Sequence, residues 1–288
     1  MKIFNNYKNL ILISILASLF FNCSPSYVKN ITNKKSKSMN KPILVIVYQD
    51  YKGKINGDLI GTMSIDNFGI VNDCSYDDVM FTIYNEAKRN GANILKINSQ
   101  EKPTLFSSCP KINTSFYYSL NPRDYEEEII WHFDRKLQAD DFKNVVPGDK
   151  PHIGAKSSFG IFYDINQSSL FAPTTIKVKA KFYCINSWIK EDSKNDESLL
   201  RLQQLQFNIT ELHARILRKK LKSENLNFTN MDAAKKIFAK VMTDLKAMQL
   251  KCDEETDWGL NLKKLKTWEL NIKDELYMLD EYKDKLPF

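Results

Sequence analysis

Histidine is scarce. The 288 residues hold three, His132, His152 and His213, and nothing four residues away partners His213. A helical zinc site needs two imidazoles one turn apart, so metal-dependent hydrolysis in its usual form is excluded. There is no glycine-rich phosphate loop, no Gly-x-Ser-x-Gly elbow and no Cys/His pair at a recognisable spacing, which removes the commonest nucleotide-binding, serine-hydrolase and thiol chemistries. The net charge of +7 comes without a basic motif interleaved with aromatics, so nucleic acid is not an expected partner. Most of that charge reads as solvation, compatible with anionic lipid or cell wall. Long apolar runs are missing too. Residues Leu10 to Phe21 are almost wholly apolar, but such a run rises only about 18 Å as a helix, against about 30 Å of hydrocarbon.

That short run follows Lys2 and Lys8 and closes on Cys23. A positive start, a short apolar core and a terminal cysteine read as a secretory signal over 1–22. Leu19-Phe20-Phe21-Asn22-Cys23 resembles a loose lipobox of the Bacteroidota type, which implies a lipid on Cys23. The alternative is an ordinary signal peptide with Cys23 merely nearby. With Ser24 after the cysteine, analogy with lipoprotein sorting implies the outer membrane of a Gram-negative envelope. Export into an oxidising compartment permits disulfides among Cys74, Cys109, Cys184 and Cys252. Proximity favours Cys74–Cys109 and Cys184–Cys252; four buried free thiols are the alternative.

Residues 23–41 mix serines with Lys29, Lys34, Lys35, Lys37 and Lys41 and read as a flexible linker. Residues 42–120 read as a small α+β module in the order ββαββ. Strands are expected at 42–51, 58–66, 92–99 and 112–120. Between them Ser75 is a candidate N-cap, Asp77 and Asp78 favour the helix start, and Val79, Met80, Ile83, Tyr84 and Ala87 form an apolar face ending at Gly91. On Cys74-Ser75-Tyr76-Asp77, Glu86-Ala87-Lys88, Gly91-Ala92-Asn93 and Cys109, this stretch resembles small envelope lipoproteins related to the Rcs stress sensors, which implies sensing or docking.

Residues 121–288 form the second expected domain. Strands are expected at 155–165 and 174–184, the latter from Ile176, Val178, Ala180 and Phe182 alternating with Lys177, Lys179 and Lys181. Three long helices follow at about 196–223, 231–252 and 261–281, each with apolar residues three and four apart. Asn230 is the candidate cap of the second.

The segments Leu137 to Phe142, Gly160 to Tyr163, Phe182 with Ser187-Trp188, Leu199-Leu200, Phe207-Asn208-Ile209, Glu211, Ala214-Arg215, Leu217-Arg218, Asp253 with Glu255-Thr256 and Gly259, and Trp268 stand in one order. In that order the domain resembles a bacterial family of uncharacterised proteins described as zinc-dependent proteases. The resemblance implies a zincin-like fold with His-Glu-x-x-His just before Phe207 and a third histidine just before Gly259. This chain has Leu202 and Gln206 for the paired histidines, Gln203 for the glutamate and Trp258 for the third histidine. Leu202 has no lone pair, and an amide neither deprotonates water nor binds zinc well.

The expectation is therefore an α+β lipoprotein with a degenerate, zincin-like second domain, no catalytic residue, no metal and no cofactor. Its candidate cleft holds Trp188, Gln203, Gln206, Glu211 and Trp258, with Trp258 filling the vacated metal space and Glu211 paired to Arg215. Expected partners are the membrane, through the N-terminal lipid, and an unidentified peptide, envelope protein or cell-wall ligand. An active metalloprotease with unorthodox ligands, using Asp253, Glu255 and Asp257 for a cation, and a purely structural scaffold are the alternatives.

Overall fold

The computed structural model describes residues 27–32, 44–65, 76–101, 110–148, 153–166, 175–224, 226 and 231–284. Cys23, Cys74, Ser75, Cys109, His152 and Asn230 lie outside these residues. The fold is α+β, and the chain divides into two compact units, Met1–Pro122 and Arg123–Phe288.

Among the described residues, the first unit is a five-stranded sheet carrying one α-helix. In chain order it runs β1 (Tyr27–Ile31), β2 (Val45–Val47), β3 (Asp58–Ile65), α1 (Tyr76–Arg89), β4 (Ile94–Glu101) and β5 (Lys111–Tyr118). The sheet order is β1-β3-β5-β4-β2, with β2 parallel to β4 and the other pairs antiparallel. The helix follows its sequence signals closely. Asp77 and Asp78 open it, Lys88 and Arg89 close it, and Val79, Met80, Ile83, Tyr84 and Ala87 are buried. Gly91, at φ 80°, turns the chain out of the helix.

Strand β1 corrects one expectation. Residues 23–41 were expected to be a flexible linker, yet Tyr27 to Ile31 pair antiparallel with Ile65 to Gly61 of β3. Lys29 also ion-pairs with Glu86 on α1. An edge strand exposes many of its side chains, so Lys29 and Asn30 enter it without cost in burial, and backbone pairing, which composition does not encode, holds it.

The second unit opens with β6 (Glu128–Ile130), followed by β7 (Ala155–Lys156), β8 (Phe159–Asn166), β9 (Thr175–Tyr183) and β10 (Trp188–Ile189). Three helices complete it: α2 (Glu197–Ser223), α3 (Met231–Glu255) and α4 (Leu262–Met278). Strands order β6-β9-β8 in one small antiparallel sheet, and β7 pairs with β10 in another.

Helix α2 is the axis of the unit. Asp196 caps it, its side chain accepting from Leu199 N. The β8–β9 hairpin, α3 and α4 all pack on it, so from Leu202 to Leu217 it is buried on nearly every side. Helices α3 and α4 bury only narrow stripes, Ala234, Val241, Leu245 and Cys252 on one and Leu265, Ile272 and Leu276 on the other. Aromatic rings tie sheet to axis. Phe207 stacks on Phe159 with centroids 5.7 Å apart, and Phe142 meets Phe182 edge-on at 5.2 Å.

Candidate functional site

The segment Leu202 to Gln206 lies in the first half of α2, and its glutamines point three ways. Gln203 faces the β7–β8 connection, where its Oε1 accepts from Ser157 Oγ at 2.5 Å. Gln204 faces the opening segment of the unit. Its Oε1 accepts from Leu137 N at 2.8 Å, and its Nε2 shares Asn208 Oδ1 with Trp131 Nε1. Gln206 faces α3, its Nε2 donating to Asp253 Oδ1 at 2.6 Å and to Gln249 O at 3.2 Å. Three amides thus strut the axis against three neighbours. Gln206 Oε1 is buried without a hydrogen-bond partner. Burial pushes the Asp253 carboxyl above its usual range, partly opposed by the Gln206 hydrogen bond.

Leu202 and Gln206 sit one turn apart and face the end of α3, which bears Asp253 to Gly259. There the chain reverses through three positive φ angles, Asp257 at 48°, Trp258 at 49° and Gly259 at 92°. The reversal lays the Gly259 backbone on Leu202. A Cβ at Gly259 would stand 3.4 Å from Leu202 Cβ.

Trp258 does not fill the space opposite Leu202, as was expected; it is 63% exposed. The left-handed turn sends its side chain outward, and the leucine with the glycine backbone close the gap instead. The open cleft is corrected with it. Trp188, Gln203, Gln206 and Glu211 are all buried, so four of the five expected lining residues face packed protein. The aliphatic chain and the bonded amide groups pack against protein, and Gln206 Oε1 is the one buried polar atom of this face that lacks a partner.

Glu211 belongs to a separate cluster one turn further on. It is 2% exposed and accepts from Arg215 Nε at 2.9 Å and from Arg218 Nη1 at 3.0 Å. Each arginine then reaches a backbone carbonyl elsewhere. Arg215 Nη1 donates to Leu276 O at 2.6 Å, Arg218 Nη2 to Val178 O at 2.6 Å and Arg218 Nη1 to Tyr282 O at 3.0 Å. Arg215 also lies over the Trp131 ring, 5.4 Å from its centroid. The carboxylate therefore anchors the C-terminal end of α4 and strand β9 to α2.

A second buried cluster escaped sequence reasoning. Arg135 bonds both oxygens of Asp141, at 2.7 and 3.0 Å, and Glu126 Oε2 at 2.6 Å. Lys143 Nζ donates to the carbonyls of Arg123 and Glu126. Burial pushes the Glu126 carboxyl above its usual range against the pull of Arg135. Within Leu137 to Phe142, Asp141 is the residue that this cluster holds.

The cysteines correct a further expectation. Cys184 and Cys252 are buried free thiols, not a disulfide. Cys184, just after β9, lies among Glu126, Asp141, Lys143 and Arg135, whereas Cys252 feels Asp253 and Glu255 on α3, so the two sit in separate neighbourhoods. Burial pushes each thiol up to about 12. The other pair, Cys74 and Cys109, lies outside the described residues, as does Cys23.

The acidic residues after α3 disperse. Asp253 bonds Gln206, Glu255 Oε2 accepts from Trp268 Nε1, and Asp257 is exposed. Among the described residues no three His, Cys, Asp or Glu side chains gather where they could hold a metal ion. His132 is half-buried and its Nδ1 accepts from Asp134 N. His213 is buried on α2, and its Nδ1 donates to Ile209 O at 2.9 Å.

Burial lowers the His213 pKa below 6.5, against smaller upward pulls from the Ile209 carbonyl, Asp244 and Glu275. The folded chain thus binds this proton less readily than the unfolded chain. Stability is full above the unfolded value and falls as pH drops through it toward the folded value. We expect the unfolding midpoint of the second unit to fall between pH 7.5 and 5.5, and His213→Gln to flatten that slope. Thermal melts across the range read it, and an unchanged slope refutes the assignment.

Comparison with family models, with curated proteins and with solved structures finds no match.

Proposed function

We propose that this chain is a lipid-anchored envelope protein, most simply of the outer membrane, whose second unit is a zincin-like module turned to non-catalytic use. The observation that carries the reading is the helix face of Leu202, Gln203 and Gln206. It is buried, and its amides bond Ser157 and Asp253 rather than facing an open groove. A hydrolytic water has to be held and deprotonated, and neither a leucine nor a bonded amide does so. Filling the groove favours a scaffold over a protein that grips a peptide in that cleft. Any partner, whether peptide, envelope protein or cell-wall material, meets the outer surfaces instead.

Purified full-length protein, dialysed free of chelator, is expected to carry far less than one zinc per chain by atomic absorption. It is also expected to leave casein and mixed peptide libraries intact. Stoichiometric zinc, together with cleavage that a chelator stops, would sink the proposal and favour the metalloprotease alternative.

A further inference from the structure

The outward side of α4 has the composition of a surface that meets something. At 100° per residue, Leu262, Lys263, Lys266, Leu270, Lys273 and Tyr277 fall within an arc of about 100°. Leu262, Leu270 and Tyr277 are 55%, 52% and 81% exposed, and the three lysines are exposed as well. None of these lysines has an ion-pair partner among the described residues. No carboxylate falls inside the arc. Glu269 lies beyond one edge, tied to Arg201 at 2.7 Å, and Asp274 lies just beyond the other.

The turn before the helix extends the stripe. Trp258 is 63% and Leu260 73% exposed, the former on the left-handed backbone already described. Glu254, Glu255 and Asp257 are the exposed acids of that turn, Glu255 accepting from Trp268 Nε1. The arrangement does not serve the folded monomer. Lys263 and Lys264 occupy the first turn of α4, which has no acidic residue, and cations there oppose the helix dipole. A left-handed tryptophan adds strain.

We propose that this stripe, with Trp258 and Leu260 at its end, lies on an anionic bilayer surface. Apolar residues are interspersed with lysines along the helix. Each lysine's aliphatic stem then lies in the acyl boundary while its ammonium reaches a phosphate, and the indole takes the interfacial position that tryptophan favours. A protein groove would instead have to supply three carboxylates between its apolar pockets. The contact is separate from the expected lipid on Cys23 and from the fate of the degenerate motif.

The test uses the full chain on vesicles of phosphatidylglycerol and phosphatidylcholine with brominated acyl chains, reading tryptophan quenching. The apolar run at residues 10–21 will hold the chain on any vesicle, so binding alone is not the readout. The wild type should be quenched on anionic vesicles and not on pure phosphatidylcholine, and Trp258→Phe should remove the quenched component. Each lysine contributes roughly five-fold at such a surface, so Lys263→Gln/Lys266→Gln/Lys273→Gln should weaken the contact on the order of a hundred-fold. The unfolding midpoint should stay put, because the three side chains are exposed. Vesicle-bound chain with Trp258 unquenched, equal quenching on uncharged lipid, or an indifferent triple variant overturns the proposal. So does a doubled solution mass that the triple variant abolishes without any quenching, which would assign the stripe to a second copy of this chain.

Discussion

Replacing Glu211 by alanine is expected to cost the second unit roughly 3–5 kcal/mol, the usual penalty for stranding a buried charge. The carboxylate is 2% exposed and answers two guanidinium groups at once, Arg215 at 2.9 Å and Arg218 at 3.0 Å. Without it, two cations face each other behind the α2 axis. Their remaining bonds run to the carbonyls of Leu276, Val178 and Tyr282, which carry only partial charge, and Arg215 keeps one longer ion pair, 3.7 Å, with the exposed Asp280. Glu211→Gln should be milder, since an amide oxygen still accepts, but its NH2 meets donors on the other side. All four tryptophans, at 131, 188, 258 and 268, lie in the second unit, so urea unfolding followed by tryptophan emission isolates it from the first. A loss under 1 kcal/mol, on the order of a surface pair, would show that Glu211 does not hold the cluster together.

The second large effect is Arg135→Met, expected to lower stability by roughly 3–5 kcal/mol at neutral pH. Methionine matches the stem's volume but leaves the buried Glu126 and Asp141 carboxylates without their shared cation. The effect carries a pH signature. Burial already raises the Glu126 pKa, and Arg135 opposes that rise. In the variant only the smaller pull of Lys143 still opposes the rise, so the folded state binds a proton more tightly than the unfolded state. A raised folded pKa gives stability that is present below the unfolded value and lost as pH rises through the folded one. The deficit should therefore be widest near pH 7 and narrow as the pH falls toward 4.5, the ordinary carboxyl value for Glu126. Urea midpoints for both proteins at pH 7 and pH 5 decide it. A gap that stays constant with pH would place the cost in packing rather than charge.

Both clusters bear on the proposed use of the unit as a scaffold. Neither presents a group to solvent: the Glu211 cluster ties α4 and β9 to α2, and the Arg135 cluster ties together residues 123–143 at the opening of the unit. Glu126, Arg135 and Asp141 pin the opening of the unit, while Glu211, Arg215 and Arg218 pin its end. What faces outward is the stripe on α4, and it is there, not in the filled groove, that contact with the envelope is expected.

Period and punctuation determined much of this protein without any tertiary knowledge. The stripe of Val79, Met80, Ile83, Tyr84 and Ala87, the alternation from Ile176 to Phe182 and the three long helices were legible because each is a local repeat whose period belongs to one element. That Leu202, Gln203, Gln206 and Trp258 offer neither imidazole nor carboxylate was legible too, because it depends on which atoms a side chain owns. Tertiary structure decided the rest. Strand β1 needed β3 beside it, and β6 and β10, at three and two residues, are too short to show a period. Whether Cys184 could meet Cys252 was a question of distance. So was the direction of Trp258, set by three backbone angles. Most of all, α2 carries Gln203, Gln206, Thr210, Glu211, His213 and Arg215, and all six are buried. Burying a polar group is unfavourable until a partner arrives, and those partners come from segments up to 60 residues and more away along the chain, such as Leu276 for Arg215. A local pattern shows that a side chain is polar; only the fold supplies the group that lets it leave water.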